Sequence, residues 1–209
     1  MNKMLLNGVL CTSVALAGCA YKAPMVATPS YNVVTSFSSK IPGKWLLAVD
    51  STALNTTAKS SGYVCAAHKF PLEMAGVYKT SVSQTLKQIF AEVEDVPEPV
   101  PSDQLAAKGA AGMIVVHGEE VRPILDVQPG FWSANMRTEV MIVVTATVDK
   151  RSGRVFGQTV EGRGVADADA GFACEGGAKS FAEAAGIAVK DSVRRIAEDI
   201  GNSERVRGR

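Results

Sequence analysis

Arg137-Thr138-Glu139-Val140-Met141-Ile142-Val143-Val144-Thr145-Ala146-Thr147-Val148-Asp149 carries the strongest pattern in the chain. Val140, Ile142, Val144, Ala146 and Val148 recur at every second position, with Glu139, Thr145 and Thr147 on the opposite side. That is the two-residue period of a β-strand with one covered face. Asp149-Lys150-Arg151-Ser152-Gly153-Arg154 is a turn signal, and Val155 to Val165 returns as the hairpin partner.

Working upstream, Gly112-Met113-Ile114-Val115-Val116-His117-Gly118 is a further strand, followed by a loop holding Pro123, Pro129 and Gly130. Ser102 to Lys108 has the ends of a short helix, Ser102 as N-cap and Gly109 as stop. Between Ala75 and Val93, the apolar residues Val82, Leu86, Ile89, Phe90 and Val93 fall at helical spacing. Ser81 and Gln84 fit a capping box there, and Pro97, Pro99 and Pro101 end the element. Asn55 to Ser61 reads as a polar loop, and Lys44 to Val49 as a near-continuously apolar, hence well-covered, strand closed by Asp50 and Ser51.

Downstream, Lys179 to Ile200 is helical, with Phe181, Ala184, Ala185, Ala188, Ser192, Ile196 and Ile200 on one stripe. Ser180 and Glu183 fit a capping box and Gly201 is placed as the stop. The order strand, helix, strand, strand, strand, helix predicts an α+β domain, a mostly antiparallel sheet with two main helices packed on one face. We place this single domain at 41–202, before a basic tail, 203–209, expected to be disordered.

The N-terminal part reads as an address. Lys3 supplies a positive charge, Met4 to Leu16 is apolar, and the small residues Ala17 and Gly18 precede Cys19. The apolar run falls short of the roughly 20 residues a membrane-spanning helix needs. Leu16-Ala17-Gly18-Cys19 resembles the lipobox of bacterial lipoproteins; Leu10 before Cys11 is too bulky for a rival site. The resemblance implies a signal peptide at 1–18 and a Cys19 that becomes the acylated N-terminus. Ala20, where an inner-membrane retention signal has Asp, then points to the periplasmic face of the outer membrane. Residues 19–40, rich in Ser, Thr and Pro and including Pro24 and Pro29, read as a flexible tether. Tyr31-Asn32-Val33-Val34 near its end has the composition of an edge strand.

With that anchor, the first strand, the first helix, Ala111-Gly112-Met113-Ile114-Val115-Val116, the long hairpin and the Ala-rich closing helix resemble the YajG-type lipoproteins. The layout is more distantly similar to LptE, PelC and LpoB. The likeness is one of element order over roughly residues 44–200. It implies a non-enzymatic accessory of an envelope machine and transfers no binding residue.

The 209-residue chain has 22 basic and 21 acidic side chains, a balance that gives no electrostatic case for nucleic acid. Past the leader, no apolar run is long enough to cross a membrane as a helix. Once Cys19 is acylated, Cys65 and Cys174 form an even pair in an oxidising compartment, each just ahead of a main helix. We read them as a disulfide, with two buried free thiols or a redox pair as the alternatives; Cys-x-x-Cys is absent.

No metal and no cofactor is expected. His68 and His117 lack a second ligand at the usual spacing. Asp167 and Asp169 lack the glycine and closing Glu of a calcium loop, and read as solvated acids. Gly171 to Ser180 has its Lys two positions too late for a phosphate loop, so its glycines are read as permitting close approach at a helix start. Gly-x-Ser-x-Gly does not occur and no catalytic residue is nominated.

Phe131 and Trp132, in the loop Pro129 to Ser133, either fold back on the core or anchor a partner or lipid surface. The function expected is therefore that of a non-enzymatic, membrane-anchored binding or scaffold component of a cell-envelope assembly. The alternative is a lipid- or glycan-binding accessory in lipopolysaccharide or polysaccharide export. The partners implied are the membrane, through acyl chains on Cys19, and an envelope protein, with a homo-oligomer also compatible. Cells fed radiolabelled palmitate should label the wild-type protein and leave Cys19→Ala unlabelled; equal labelling would remove the anchor.

Overall fold

The computed structural model describes residues 20, 32–62, 64–130 and 134–208. The fold is α+β. A first strand, β1 (Ile41–Asp50), leads through a 3₁₀ turn into a small hairpin, β2 (Asn55–Ala58) and β3 (Phe70–Glu73), which pair with each other as a separate sheet. Helix α1 (Ala75–Ile89) runs directly into β4 (Phe90–Asp95). Three long strands follow, β5 (Gly112–Pro129), β6 (Ala134–Lys150) and β7 (Gly153–Asp169), then helix α2 (Gly176–Asn202) and a short α3 (Glu204–Arg207).

The five-stranded sheet has the order β4-β1-β5-β6-β7. It is mixed. β5, β6 and β7 are antiparallel, as the hairpin pattern predicts, but β1 runs parallel to both of its neighbours. The source of the parallel edge is β4, which the helical spacing of Phe90 and Val93 hides in the sequence. These two residues instead lie opposite Ile41 and Trp45 of β1, and the chain leaves the helix as soon as that pairing becomes available. Glu92, Glu94 and Asp95 stay exposed on this outermost strand, a charged edge that discourages pairing with other chains. The prolines at 97, 99 and 101 thus follow a strand, not a helix.

β5 is far longer than the stretch predicted from its apolar residues. β1 reaches only as far as His117, so from Gly118 onward β5 has no strand on that side. Pro123, which lacks an N–H, costs an outer strand little. A register shift between Gly118 and Glu120 marks the change, and Leu125 O accepts hydrogen bonds from the backbone N–H and hydroxyl of Ser61. The helix expected over Ser102 to Lys108 is a single 3₁₀ turn, Ser102–Gln104. Its following Leu105 is buried with Leu46, Ala48, Ala110 and Met113 in a minor core on the sheet's outer side.

The main core lies between the sheet and both helices. Tyr78, Val82, Leu86 and Ile89 of α1, and Phe181, Ala185, Val189, Val193 and Ile196 of α2, bury against Val140, Ile142, Val144, Ala146 and Val148. The rings of Trp45 and Phe90 pack at a tilt with centres 5.0 Å apart, and those of Phe70 and Phe181 at 5.5 Å. Neither expected capping box is used, because each helix begins earlier: α1 at Ala75 and α2 at Gly176. Ser81 and Ser180 are buried inside them instead.

The ends of the domain also differ from expectation. The stretch 32–40, expected as tether with an edge strand near Val34, forms no strand and is tied to the body. Asn202 and Glu198 accept hydrogen bonds from the backbone N–H groups of Ser36 and Val34. The C-terminal residues expected to be disordered form α3, with Val206 buried. The Arg207 guanidinium stands 4.1 Å from the Phe37 ring and donates to Ser39 O and Gly201 O. Gly201 is not the helix stop; it lies within α2, where a Cβ would collide with Thr35.

The tightest contact is between α2 and β7. A Cβ on Gly164 would run into the backbone of Ala184 and Ala188, and one on Gly162 into Ala188 O and Ser192. Gly164→Ala should therefore destabilise by about 1 to 3 kcal/mol, which lowers the thermal midpoint by several degrees. Gly186→Ala, in the same helix with nothing within 4 Å of the new methyl group, should stabilise by about 0.5 to 1 kcal/mol. Equal midpoints for the two variants would contradict this packing.

Candidate functional site

Two parts of the molecule present side chains outward in a fixed arrangement: the outer face of β5, β6 and β7, and the end of the sheet where β7 passes into α2.

On the outer face, the alternation that buries one side of β6 leaves its odd-numbered residues on the other, opposed across both neighbours. Glu120, Val143 and Glu161 form one row, and Arg122, Met141 and Arg163 the next. Ile124, Glu139 and Val165 follow, then Asp126, Arg137 and Asp167. Arg163 pairs with Glu139 at 2.7 Å and Arg122 with Glu120 at 2.6 Å. In each pair the hydrogen bond from the arginine is the main cause holding the guanidinium pKa above its ordinary value. The result is an apolar centre, Met141 and Val143, flanked by charges on both strands. At the β1 end, Thr145 and Thr159 share a hydrogen bond of 3.0 Å and His117 lies 3.3 Å from Asp50. Donation from the Thr52 hydroxyl and backbone N–H, more than His117, holds the Asp50 carboxyl below the usual range. A shallow groove of about 650 Å³ runs beside this face, lined by Pro99, Val100, Pro101, Val115, Thr147 and Arg154 among others.

At the other location, Cys65 and Cys174 are joined, with Cα atoms 6.0 Å apart across a sequence separation of 109. Both half-cystines have positive φ, 60° and 65°, a region that residues with a Cβ rarely adopt. The bridge ties the loop before β3 to the 3₁₀ turn Phe172–Cys174 ahead of α2. The glycines of this connection act through close approach. A Cβ on Gly176 would meet Asp169 O, and Gly177 lies against the Phe70 ring. On this turn Phe172 is 88% exposed.

The remaining candidates are scattered. Among the described residues, no three His, Cys, Asp or Glu side chains gather to hold a metal ion. His68 lies in the loop after Cys65, and His117 on the outer face. Asp167 is on the outer face, while Asp169 accepts from the Gly171 N–H. No described helix is long and apolar enough to cross a membrane. Cys19, Phe131 and Trp132 lie outside the described residues, as do the rest of 1–18 and Cys11. Sequence reasoning placed Glu139 and Thr145 on the outer side of β6 but missed Glu120, Arg122 and Arg163, because the extension of β5 and its bulge are not visible in its composition. Phe172 carries no pattern of its own.

No family model matches the chain, and no curated protein matches it. Among solved structures, it is similar to the crystal structure of protein XCC0632 from Xanthomonas campestris, of the family DUF330. The identity is 9% and the TM-score 0.49, over 91% of this chain and 96% of that one.

A bridge closing a loop of this length stabilises by roughly 4 to 5 kcal/mol in the chain-entropy model, less whatever the two positive-φ residues cost. Reduction, or Cys65→Ser with Cys174→Ser, should lower the thermal midpoint on the order of 10 °C. An unchanged midpoint in reductant would show that the bridge adds nothing to the fold.

Proposed function

We propose that this protein is a lipid-anchored, non-enzymatic scaffold of the bacterial cell envelope. It is held by acyl chains on Cys19 at the periplasmic face of the outer membrane, and binds a protein partner through the outer face of β5, β6 and β7. The observation that carries the binding role is the composition of that face. Met141 and Val143 sit at its centre with Glu120, Arg122, Glu161 and Arg163 around them, the apolar middle and charged rim of a protein interface. Beyond the segment that covers Leu46, Ala48 and Met113, no described helix or strand packs over it.

Three features support the envelope setting: Leu16-Ala17-Gly18-Cys19 with its leader, the Cys65 to Cys174 bridge, and the likeness in element order to YajG-type lipoproteins. The lipid- or glycan-carrying alternative calls for an apolar groove between helix and sheet. At β7 that space is closed by Gly162 and Gly164 against α2, which favours the scaffold.

Met141→Arg places a third cation between Arg122 and Arg163, outside the main core. In detergent extracts of intact membranes, the wild-type protein should co-purify a reproducible envelope protein, and Met141→Arg should retain less than a tenth of it. Its thermal midpoint should stay within about 3 °C of wild type, as for a surface change. Undiminished co-purification would rule out this face as the contact.

A further inference from the structure

We infer that the end of the domain bearing Phe172 rests on the bilayer to which the chain is anchored, with the Phe172 ring seated among the lipid headgroups. This rests on the lipoprotein reading above and adds an orientation to it.

The first observation is where the chain leading to Cys19 meets the body. Ala20, the residue that follows Cys19, bridges to Lys69 in parallel fashion. Lys69 immediately precedes Phe70, whose ring packs on Phe181 and against Gly177 at the start of α2. An acyl chain on Cys19 therefore leaves the domain at the end where β3 and α2 begin.

The second observation is Phe172. It stands at that same end, two residues before Cys174, and is the most exposed large apolar side chain among the described residues, at 88%. Its turn is fixed on both sides. Gly171 has φ +65° and donates to Asp169, and Cys174 is bridged to Cys65. A ring displayed on so rigid a turn loses no loop entropy when it is covered, so its burial in an interface is favoured.

Charge at this end is mixed, Lys69, Lys179 and Arg137 beside Asp126, Asp167, Asp169 and Glu175, all exposed. The contact is accordingly apolar, and a zwitterionic bilayer suffices. The turn at Arg151 and Ser152 then points away from the membrane. At about 3.4 Å per residue, the 17 residues of β6 carry that turn roughly 55 Å from the lipid and leave the outer sheet face open to the side.

The test uses the full-length acylated protein in phosphatidylcholine vesicles with and without brominated acyl chains. Over the wild-type background from Trp45 and Trp132, the added fluorescence of Phe172→Trp should fall at least two-fold in brominated lipid, and that of Ser152→Trp should not. In the unmodified protein, hydrogen exchange across 171–175 should slow several-fold on vesicles relative to detergent. Vesicle-bound protein with an unquenched tryptophan at 172 and unchanged exchange overturns the orientation while the anchor stands. Quenching at 152 alone does the same. Wild-type protein that fails to float with the vesicles overturns the anchor, and the orientation with it.

Discussion

The approach of α2 to β7 is the contact on which the rest of the structure depends. Ala184, Ala188 and Ser192 succeed one another at four-residue intervals along the helix, and Gly162 and Gly164 lie beneath them on the strand. With no side chain between them, helix backbone and sheet backbone touch. Larger residues on either side would push α2 away and open the layer where Val140, Val144 and Val148 are buried. Gly162 and Gly164 weaken the strand's own conformational preference. That weakness is offset by a 27-residue helix that covers both β6 and β7.

This closeness also divides the labour between the two faces of the sheet. The inner face is filled by the two helices, with aromatic pairs at Trp45 and Phe90 and at Phe70 and Phe181 locking its ends. Among the described residues, the outer face is covered only beside β1, where Leu105 and Ala110 sit over Leu46, Ala48 and Met113. Past that patch the three long strands show paired charges around Met141 and Val143. The disulfide and the Arg207 strap fix the remaining ends, one holding the β3 loop to the start of α2 and the other pinning 34–40 beneath its end. The described body is thus tied down at both ends, with one broad face available.

The sequence made some of this legible and concealed the rest for definable reasons. Residues 137–149 alternate so regularly that strand, face and hairpin could be read directly, and the stripe through Phe181, Ala188 and Ile196 identified the helix that covers them. Cys65 and Cys174 could be paired because each precedes a main helix. β4 escaped because Phe90 and Val93 satisfy helical spacing as well as strand alternation, and the decision is made by pairing with Ile41 and Trp45, distant in sequence. The second half of β5 escaped because Pro123 argues against a strand until one knows that β1 has ended. Glycines at 162 and 164 within a strand signal close approach, yet only the fold reveals that α2 is what approaches. At the candidate site, the rim of charges around Met141 becomes visible only once the register of β5 past its bulge is set.

We propose a folded body fastened by acyl chains on Cys19 and stapled by a disulfide between the loop before β3 and the turn ahead of α2. Intact mass spectrometry of the protein extracted from membranes without reductant tests both parts at once. The expected mass is that of a chain beginning at Cys19, heavier by a diacylglyceryl group and an acyl chain, and lighter by two hydrogens for the Cys65 to Cys174 bond. A chain that retains the leader, or begins at Cys19 unacylated and carries free thiols, would contradict it.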